Sequence, residues 1–210
     1  AVIPRSYDDL LRETDRLLFS HEFHLDLIDG KFVPKSSWPF QPAGEPRSVK
    51  PALDRFTLEV DLMIERPIQC ACEWIDTGAD MLVFHLETLS LDSFRDFIAT
   101  TDVSVGVSCH GDTPTDQLLE YAAVADYIQV MGIREVGAQG QPFCESALER
   151  ITELKRTYPE KMVSVDGSVN AETIVRLRNA GADRFVCGSA IVCEDDPEAA
   201  QGALAALIHD

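Results

Sequence analysis

The sequence predicts a (β/α)8 TIM barrel built as a single domain over residues 1–210. Three observations predict it. Apolar runs of about four to six residues, the length of a buried strand, alternate with longer helical patterns along the whole chain. Eight such pairs fit in 210 residues, the size of a compact barrel. Several of the strand-like runs also carry acids or histidines on alternate positions near their C-terminal ends, where barrel enzymes hold their reactive groups.

The elements follow in order. Strands are expected near residues 2–3, 23–27, 57–62, 81–86, 103–108, 127–131, 162–165 and 184–187. Helices are expected near residues 7–19, 46–53, 67–77, 90–99, 115–122, 145–158, 171–179 and 197–208. Gly78-Ala79-Asp80 and Gly181-Ala182-Asp183 each close a helix and lead into a strand, the arrangement in which glycine follows the last helical turn. Asp195 or Asp196 is placed to cap the last helix, with Pro197 in its first turn. The two longest irregular stretches are 29–45 and 132–144.

Composition sets limits on function. Hydrophobic residues make up 45% and charged residues 26%, as in a globular protein with one sizeable core. No apolar run reaches the length of a membrane span, and residues 1–5 show no secretory signal pattern. The net charge of −18 repels phosphate backbones and argues against a nucleic-acid partner. The same surface repels a small phosphorylated molecule at long range, so any phosphate site must be local and built from helix ends. Six cysteines without zinc-site spacing read as small buried hydrophobes in a reducing cytoplasm.

The strand patterns then point to a site. His24 and Asp26 share one face of their strand, as do Glu59, Asp61 and Met63, His85 and Glu87, and Ser164 and Asp166. On a solvated antiparallel sheet such faces would meet water. Strands that alternate with helices are parallel and covered on their outer side, so these polar faces look inward and gather at the C-terminal ends. Late in the chain, Asp166-Gly167-Ser168-Val169 and Gly188-Ser189-Ala190 follow successive strands. Each small-residue turn is expected to lead to a helix N-terminus, where exposed backbone N–H groups and the positive end of the helix dipole together suit one phosphate. Gly167, Ser168, Gly188 and Ser189 are therefore candidate phosphate contacts beside the Asp166 carboxylate.

With these segments in hand, the chain resembles the ribulose-phosphate 3-epimerase family. The resemblance is carried by His24-Leu25-Asp26-Leu27-Ile28-Asp29-Gly30-Lys31-Phe32-Val33-Pro34, Asp61-Leu62-Met63, Phe84-His85-Leu86-Glu87 and Thr113-Pro114. Val130-Met131, Gly140-Gln141, Asp166-Gly167-Ser168-Val169-Asn170 and Gly188-Ser189-Ala190-Ile191 continue it. The resemblance implies an isomerase that inverts C3 of D-ribulose 5-phosphate to give D-xylulose 5-phosphate through an enediolate, in the pentose phosphate pathway. It implies Asp26 and Asp166 as the two acid/base carboxylates, one on each face of the sugar. It implies a divalent metal ion held by His24, Asp26, Asp61 and Asp166, and a homo-oligomer. Met63 and Met131 would line the site, Ser6 would contact substrate, and Gly140 with Gln141 would close over the phosphate.

One ligand position departs from the family, which carries a second histidine where this chain has Asp61. One imidazole and three carboxylates favour Mg²⁺ or Mn²⁺ over Zn²⁺ or Fe²⁺. The related decarboxylase barrels carry Asp-x-Lys on this strand; here the third residue is Met63, so the cation that stabilises decarboxylation is missing. The loop of residues 134–141 loses the family's aromatic and gains Arg134-Glu135, His110-Gly111 replaces an Asn-Pro, and Trp38 is expected at the site mouth or an oligomer contact. A six-carbon ketose phosphate, a lyase or decarboxylase, and a non-catalytic phosphate-binding barrel remain the alternatives.

Overall fold

The computed structural model describes residues 1–137 and 140–209. Seven parallel strands form one sheet whose strand order is the chain order, β1 to β7. Parallel strands taken in sequence, with a helix in the connections, are the topology of the β/α barrel class. The chain divides into two compact units, Ala1–Val105 and Gly106–Asp210, and the division falls inside a strand.

The first unit contains α1 (Tyr7–Arg16), β1 (Glu22–Ile28), α2 (Lys50–Leu53), β2 (Thr57–Met63), α3 (Pro67–Thr77), β3 (Met81–His85), α4 (Leu91–Ile98) and the start of β4 (Ser104–Ser108). Strand β1 pairs with β2 and β2 with β3, both parallel. Leu25, Leu27, Leu58, Val60, Leu62, Leu82 and Phe84 are fully buried on one face, the stripe against which the helices pack. The opposite face carries His24, Asp26, Glu59, Asp61 and His85, all buried as well.

The first expected strand is a single parallel bridge, Val2 to Leu25, with Val2 N–H donating to His24 O at 2.9 Å and Asp26 N–H to Val2 O at 2.9 Å. Pro4 follows two residues later and has no N–H to extend the ladder. The helix expected over 46–53 begins as a 3₁₀ turn, Pro46–Val49, before α2, with a proline near the start of each piece. His85 ends β3, and the next residues form the 3₁₀ turn Leu86–Thr88. Trp38 is neither a mouth residue nor a surface contact. It is 2% exposed and packs edge-on to Tyr7 and Trp74, with ring centroids at 6.1 and 6.5 Å. A Cβ on Gly44 would lie 2.0 Å from Trp38 Nε1, so only glycine fits there.

The second unit contains the rest of β4, α5 (Thr115–Ala122), β5 (Tyr127–Met131), α6 (Ser146–Thr157), β6 (Met162–Asp166), α7 (Ile174–Ala180), β7 (Arg184–Val186), α8 (Ser189–Val192) and α9 (Pro197–His209). Helix α9 is capped by Asp196, whose Oδ1 accepts from Ala199 N–H at 3.0 Å. The nearly buried Arg150 of α6 donates to the carbonyls of His110, Gly111 and Thr113 and so ties down the turn after β4.

One device occurs in both units. After α3, Gly78 takes φ +115°, and Asp80 exchanges bonds with Leu58: its N–H donates to Leu58 O at 2.9 Å and its Oδ2 accepts from Leu58 N–H at 2.8 Å. After α7, Gly181 takes φ +111°, and Asp183 makes the same exchange with Val163 at 2.9 and 2.8 Å. The glycine reverses the chain at the helix end, and the aspartate fixes the start of one strand to the start of its neighbour. All six cysteines are free, as expected, but Cys72 and Cys193 are exposed rather than buried. Burial pushes the Cys70 thiol to about 12 and the Cys187 thiol to about 11. Among the described residues no helix is long and apolar enough to cross a membrane.

Close packing behind Asp166 yields a stability prediction. A Cβ on Gly132 would lie 2.1 Å from Gly167 O, and Gly132 N–H donates to Asp166 O at 2.7 Å. Gly132→Ala is expected to lower stability by about 1–3 kcal/mol through overpacking, read as a lower urea midpoint with an unchanged m-value.

Candidate functional site

Register explains why the polar residues of the first unit meet. Asp26 lies opposite Asp61, and His24 opposite Glu59, on strands about 4.7–4.9 Å apart. Period-2 alternation turns all four side chains to the same face. One ligand atom from each of His24, Asp26 and Asp61 lies within 4.8 Å of the others. His24 is held at both ring nitrogens: Nδ1 is 2.5 Å from a Glu59 oxygen and Nε2 is 3.1 Å from Asp26 Oδ1. Asp61 Oδ1 is 2.9 Å from His85 Nε2. Glu59 and His85 were legible in the sequence only as residues of the polar face; their pairing depends on register, which spacing along one strand does not reveal.

The electrostatics follow from burial. Asp26 is 5% exposed and Asp61 fully buried, and two adjacent buried carboxylates repel unless positive charge or a proton stands between them. Burial alone would lower the pKa of His24. The Glu59 charge and the hydrogen bonds to Asp26 and Glu59 outweigh it and hold the imidazole well above its ordinary value. The raised pKa favours the charged form of the imidazole beside these acids. The donor set also fits a divalent ion. An imidazole and two carboxylates converge, and the imidazole's Nδ1 is backed by a carboxylate as in many metal-bound histidines.

In the second unit Asp166 ends β6, half-buried, in register with Met131 of β5 and Val186 of β7. Met131 is buried, as is Met63 at the end of β2 in the first unit. Gly167 and Ser168 follow Asp166 with φ of +92° and +53°. A Cβ on Gly167 would lie 2.8 Å from Ile133 Cγ1, so the turn needs glycine for both conformation and space. Ser168 Oγ donates to Gln141 O at 2.6 Å, which brings Gln141 onto this turn. Gly140 also takes a positive φ, +75°, and the Gln141 amide bonds the Glu135 backbone. Ala138 and Gln139 of the same loop lie outside the described residues.

Two expectations need correction. Helix α7 begins at Ile174, not near 171, because Asn170 Oδ1 accepts from the N–H groups of Glu172 and Thr173 at 2.9 and 3.3 Å. Thr173 Oγ1 donates to Ser168 O at 2.6 Å and closes that turn. The Gly167-Ser168 turn therefore does not open directly on a helix N-terminus. Gly188 does, as the residue before α8, but α8 has only four residues and little dipole. What these turns offer an anion is backbone N–H groups more than helix dipoles. Ser6 caps α1, its Oγ accepting from Asp9 N–H at 3.1 Å.

With this geometry established, the comparisons with known proteins can be read. The model of the ribulose-phosphate 3-epimerase family matches residues 6–192. A ribulose-phosphate 3-epimerase of Bacillus subtilis is 34% identical over 179 residues, covering 82% of this chain and 80% of the relative. One of Treponema pallidum is 32% identical over 174 residues, covering 80% of this chain and 77% of the relative. A solved 3-hexulose-6-phosphate synthase superposes with a TM-score of 0.74 at 20% identity, covering 99% of this chain and 97% of that one, and so shares the fold. The chain belongs to the ribulose-phosphate 3-epimerase family and is an epimerase, an isomerase in the broad sense.

The protonated His24 makes a prediction with a definite sign. Its folded pKa is raised, so the stabilisation it provides is complete below about pH 6.5 and is lost as pH rises through the raised value. The melting temperature of chelator-treated protein is expected to fall on that limb. A metal ion needs the neutral imidazole, so apparent affinity for Mn²⁺ is expected to climb over the same range in calorimetric titrations.

Proposed function

We propose that this epimerase inverts C3 of D-ribulose 5-phosphate, with a divalent ion held by His24, Asp26, Asp61 and Asp166. The observation that carries the reading is the buried His24–Asp26–Asp61 constellation, in a chain whose family model and relatives bear the epimerase name. Asp26 and Asp166 serve as the acid/base pair. One takes the proton from C3 and the other returns a proton to the opposite face, because return on the same face would restore the starting sugar. A bound ion would supply positive charge that stabilises the negative charge developing when the C3 proton is removed. His24, backed by Glu59, holds its ring fixed, and Asp61, backed by His85, adds negative charge that favours Mg²⁺ or Mn²⁺ over Zn²⁺ or Fe²⁺.

The remaining residues bind and exclude water. Backbone N–H groups at Gly167-Ser168 and Gly188-Ser189 hold the phosphate, with Gly140 and Gln141 as the segment that closes over it. Support comes from the adjacent ends of β6 and β7 and from the Ser168–Gln141 hydrogen bond. Met63 and Met131 line the reacting carbon's surroundings with soft apolar groups, which keeps the charges effective. The same reading makes the chain one functional domain that works in a homo-oligomer. A cytoplasmic setting accords with six free cysteines. A pentose 5-phosphate is favoured over a six-carbon ketose phosphate because the chain matches relatives named for the five-carbon reaction over most of their length.

Exchange of the C3 hydrogen in heavy water tests the reaction directly, and ribulose 5-phosphate is expected to exchange fastest in a panel of ketose phosphates. Asp26→Asn and Asp166→Asn are each expected to lower turnover by about 10²–10⁴-fold. Unchanged turnover in both variants would end the two-carboxylate account. Elemental analysis of protein purified without chelator is expected to find one divalent ion per chain.

A further inference from the structure

A chain of net charge −18 has to admit a substrate whose phosphate carries about two negative charges at neutral pH. Most of its 18 lysines and arginines are engaged, by carboxylates as in Arg47–Asp76 and Lys50–Asp54 or by backbone carbonyls as at Arg150. Lys31, Lys35 and Arg66 differ. Each is exposed, and among the described residues no carboxylate lies within ion-pair distance of its side chain. All three stand in the loops after β1 and β2, at the strand ends that carry Asp26 and Asp61. We propose that these three cations form an entry patch whose field draws the anionic sugar phosphate to the site. The proposal rests on the sugar-phosphate reading above and deepens it, because the patch governs approach and not the final seat of the phosphate.

The loop after β1 closes on itself. Ser37 N–H donates to Ile28 O at 2.9 Å, Ser37 Oγ accepts from Ile28 N–H at 3.0 Å, and Ser36 Oγ donates to Ile28 O at 3.2 Å. Residues 29–36 thus leave from the last residue of β1 and return to it. Within the loop the Phe32 ring packs on the His85 ring, with centroids 5.3 Å apart, and His85 Nε2 lies 2.9 Å from Asp61 Oδ1. Lys31 is therefore next in sequence to a side chain that touches the buried polar cluster. Asp29 joins this loop to the one after β2. Its Oδ1 accepts from the N–H groups of Lys31 and Phe32 at 2.9 and 3.1 Å, and its Oδ2 from Glu65 N–H at 3.0 Å. Residues 29–37 and 64–67 hold these three cations against two carboxylates, Asp29 and Glu65, and so are net positive in a strongly acidic chain.

Two of the cations occupy positions that local physics disfavours. Lys35 takes φ +76°, a left-handed conformation that suits glycine or asparagine better than a long side chain. Arg66 immediately precedes α3, an 11-residue helix with no acid in its first turn, and the positive end of a helix dipole repels a cation. Neither side chain has an ion-pair partner to offset this. Positions that break a local rule without internal compensation are where function is expected. A cationic field at a site mouth raises capture of an anion by about 10–10³-fold, and salt removes the gain.

Salt dependence tests the patch on the full chain. In the parent protein, kcat/KM for D-ribulose 5-phosphate is expected to fall by about 10-fold between about 0.01 M and about 1 M ionic strength, as the reach of the field shrinks from about 30 Å to about 3 Å. Lys31→Gln/Lys35→Gln/Arg66→Gln is expected to lie about 10-fold below the parent at the lower salt and within about twofold at the higher, with kcat held within about twofold. Lys31→Arg/Lys35→Arg/Arg66→Lys keeps every charge and is expected to match the parent within about twofold. Arg16→Gln/Arg55→Gln/Arg95→Gln changes net charge equally in the last turns of α1 and α4 and just after α2, and is expected to do the same. Should the neutral triple variant fail to fold, Lys31→Gln/Arg66→Gln leaves the strained position alone and is expected to lose about fivefold at low salt. Calorimetric titration with D-ribulose 5-phosphate at both salt concentrations separates the two readings. Binding without turnover overturns the reaction, and the patch then stands or falls on the same salt-dependent loss of affinity; neither binding nor turnover overturns both. Turnover with parent-like salt dependence in the neutral triple variant, a loss that persists at high salt, or an equal loss in the remote triple variant overturns the patch alone.

Discussion

Two carboxylates that face each other across neighbouring strands, away from water, govern the first half of this protein. Asp26 and Asp61 are brought side by side by the β1–β2 register, and neither can move apart without breaking the ladder. Like charges in a low-dielectric setting repel strongly, so the fold is tolerable only with positive charge beside them. The His24 ring stands beside Asp26, and although burial lowers its pKa, Glu59 and Asp26 together raise it and favour the charged imidazole. A divalent ion held there, as proposed, would meet the same demand more fully. The proposed metal binding and the stability of this half of the sheet would then be two consequences of one electrostatic arrangement.

The sheet makes such an arrangement possible. Leucine, valine and phenylalanine on the helix-packed face fix the strands through burial alone, and the other face is left to chemistry. Around Asp166 a comparable separation holds. Gly132 and Ile133 pack behind the turn at Gly167 while its backbone amides lie beyond the end of β6. Arg150 spends its donors on three backbone carbonyls of the turn after β4, so a buried cation there serves loop order rather than a ligand.

Much of this could be read from the chain. Period-2 alternation in residues 23–27 and 57–62 identified His24, Asp26 and Asp61, because parallel strands covered by helices leave polar residues only one direction to face. The helix-ending glycines at 78 and 181 and the Asp196 cap were visible for a local reason: each acts within a few residues. What stayed hidden depended on partners far away in sequence. Trp38 looked like a surface aromatic in a long irregular stretch, since nothing nearby indicates that Tyr7, Gly44 and Trp74 enclose it. The Glu59–His24 and His85–Asp61 pairs needed the register. The late start of α7 turned on Asn170 and Thr173 using their side chains on their own backbone, a competition that helix periodicity does not record. The single bridge at Val2 shows the same limit, as a strand's length depends on what its neighbour offers.

The paired Gly-Ala-Asp clasps carry one more implication. By bonding each strand start to the preceding one, Asp80 and Asp183 secure alignment at the end remote from the reactive groups. Alignment kept there does not draw on the opposite rim, whose residues are then at liberty to drift. An exchange such as aspartate for histidine at position 61 can be absorbed because the scaffold's bookmarks are elsewhere. Innovation at one edge is underwritten by repetition at the other.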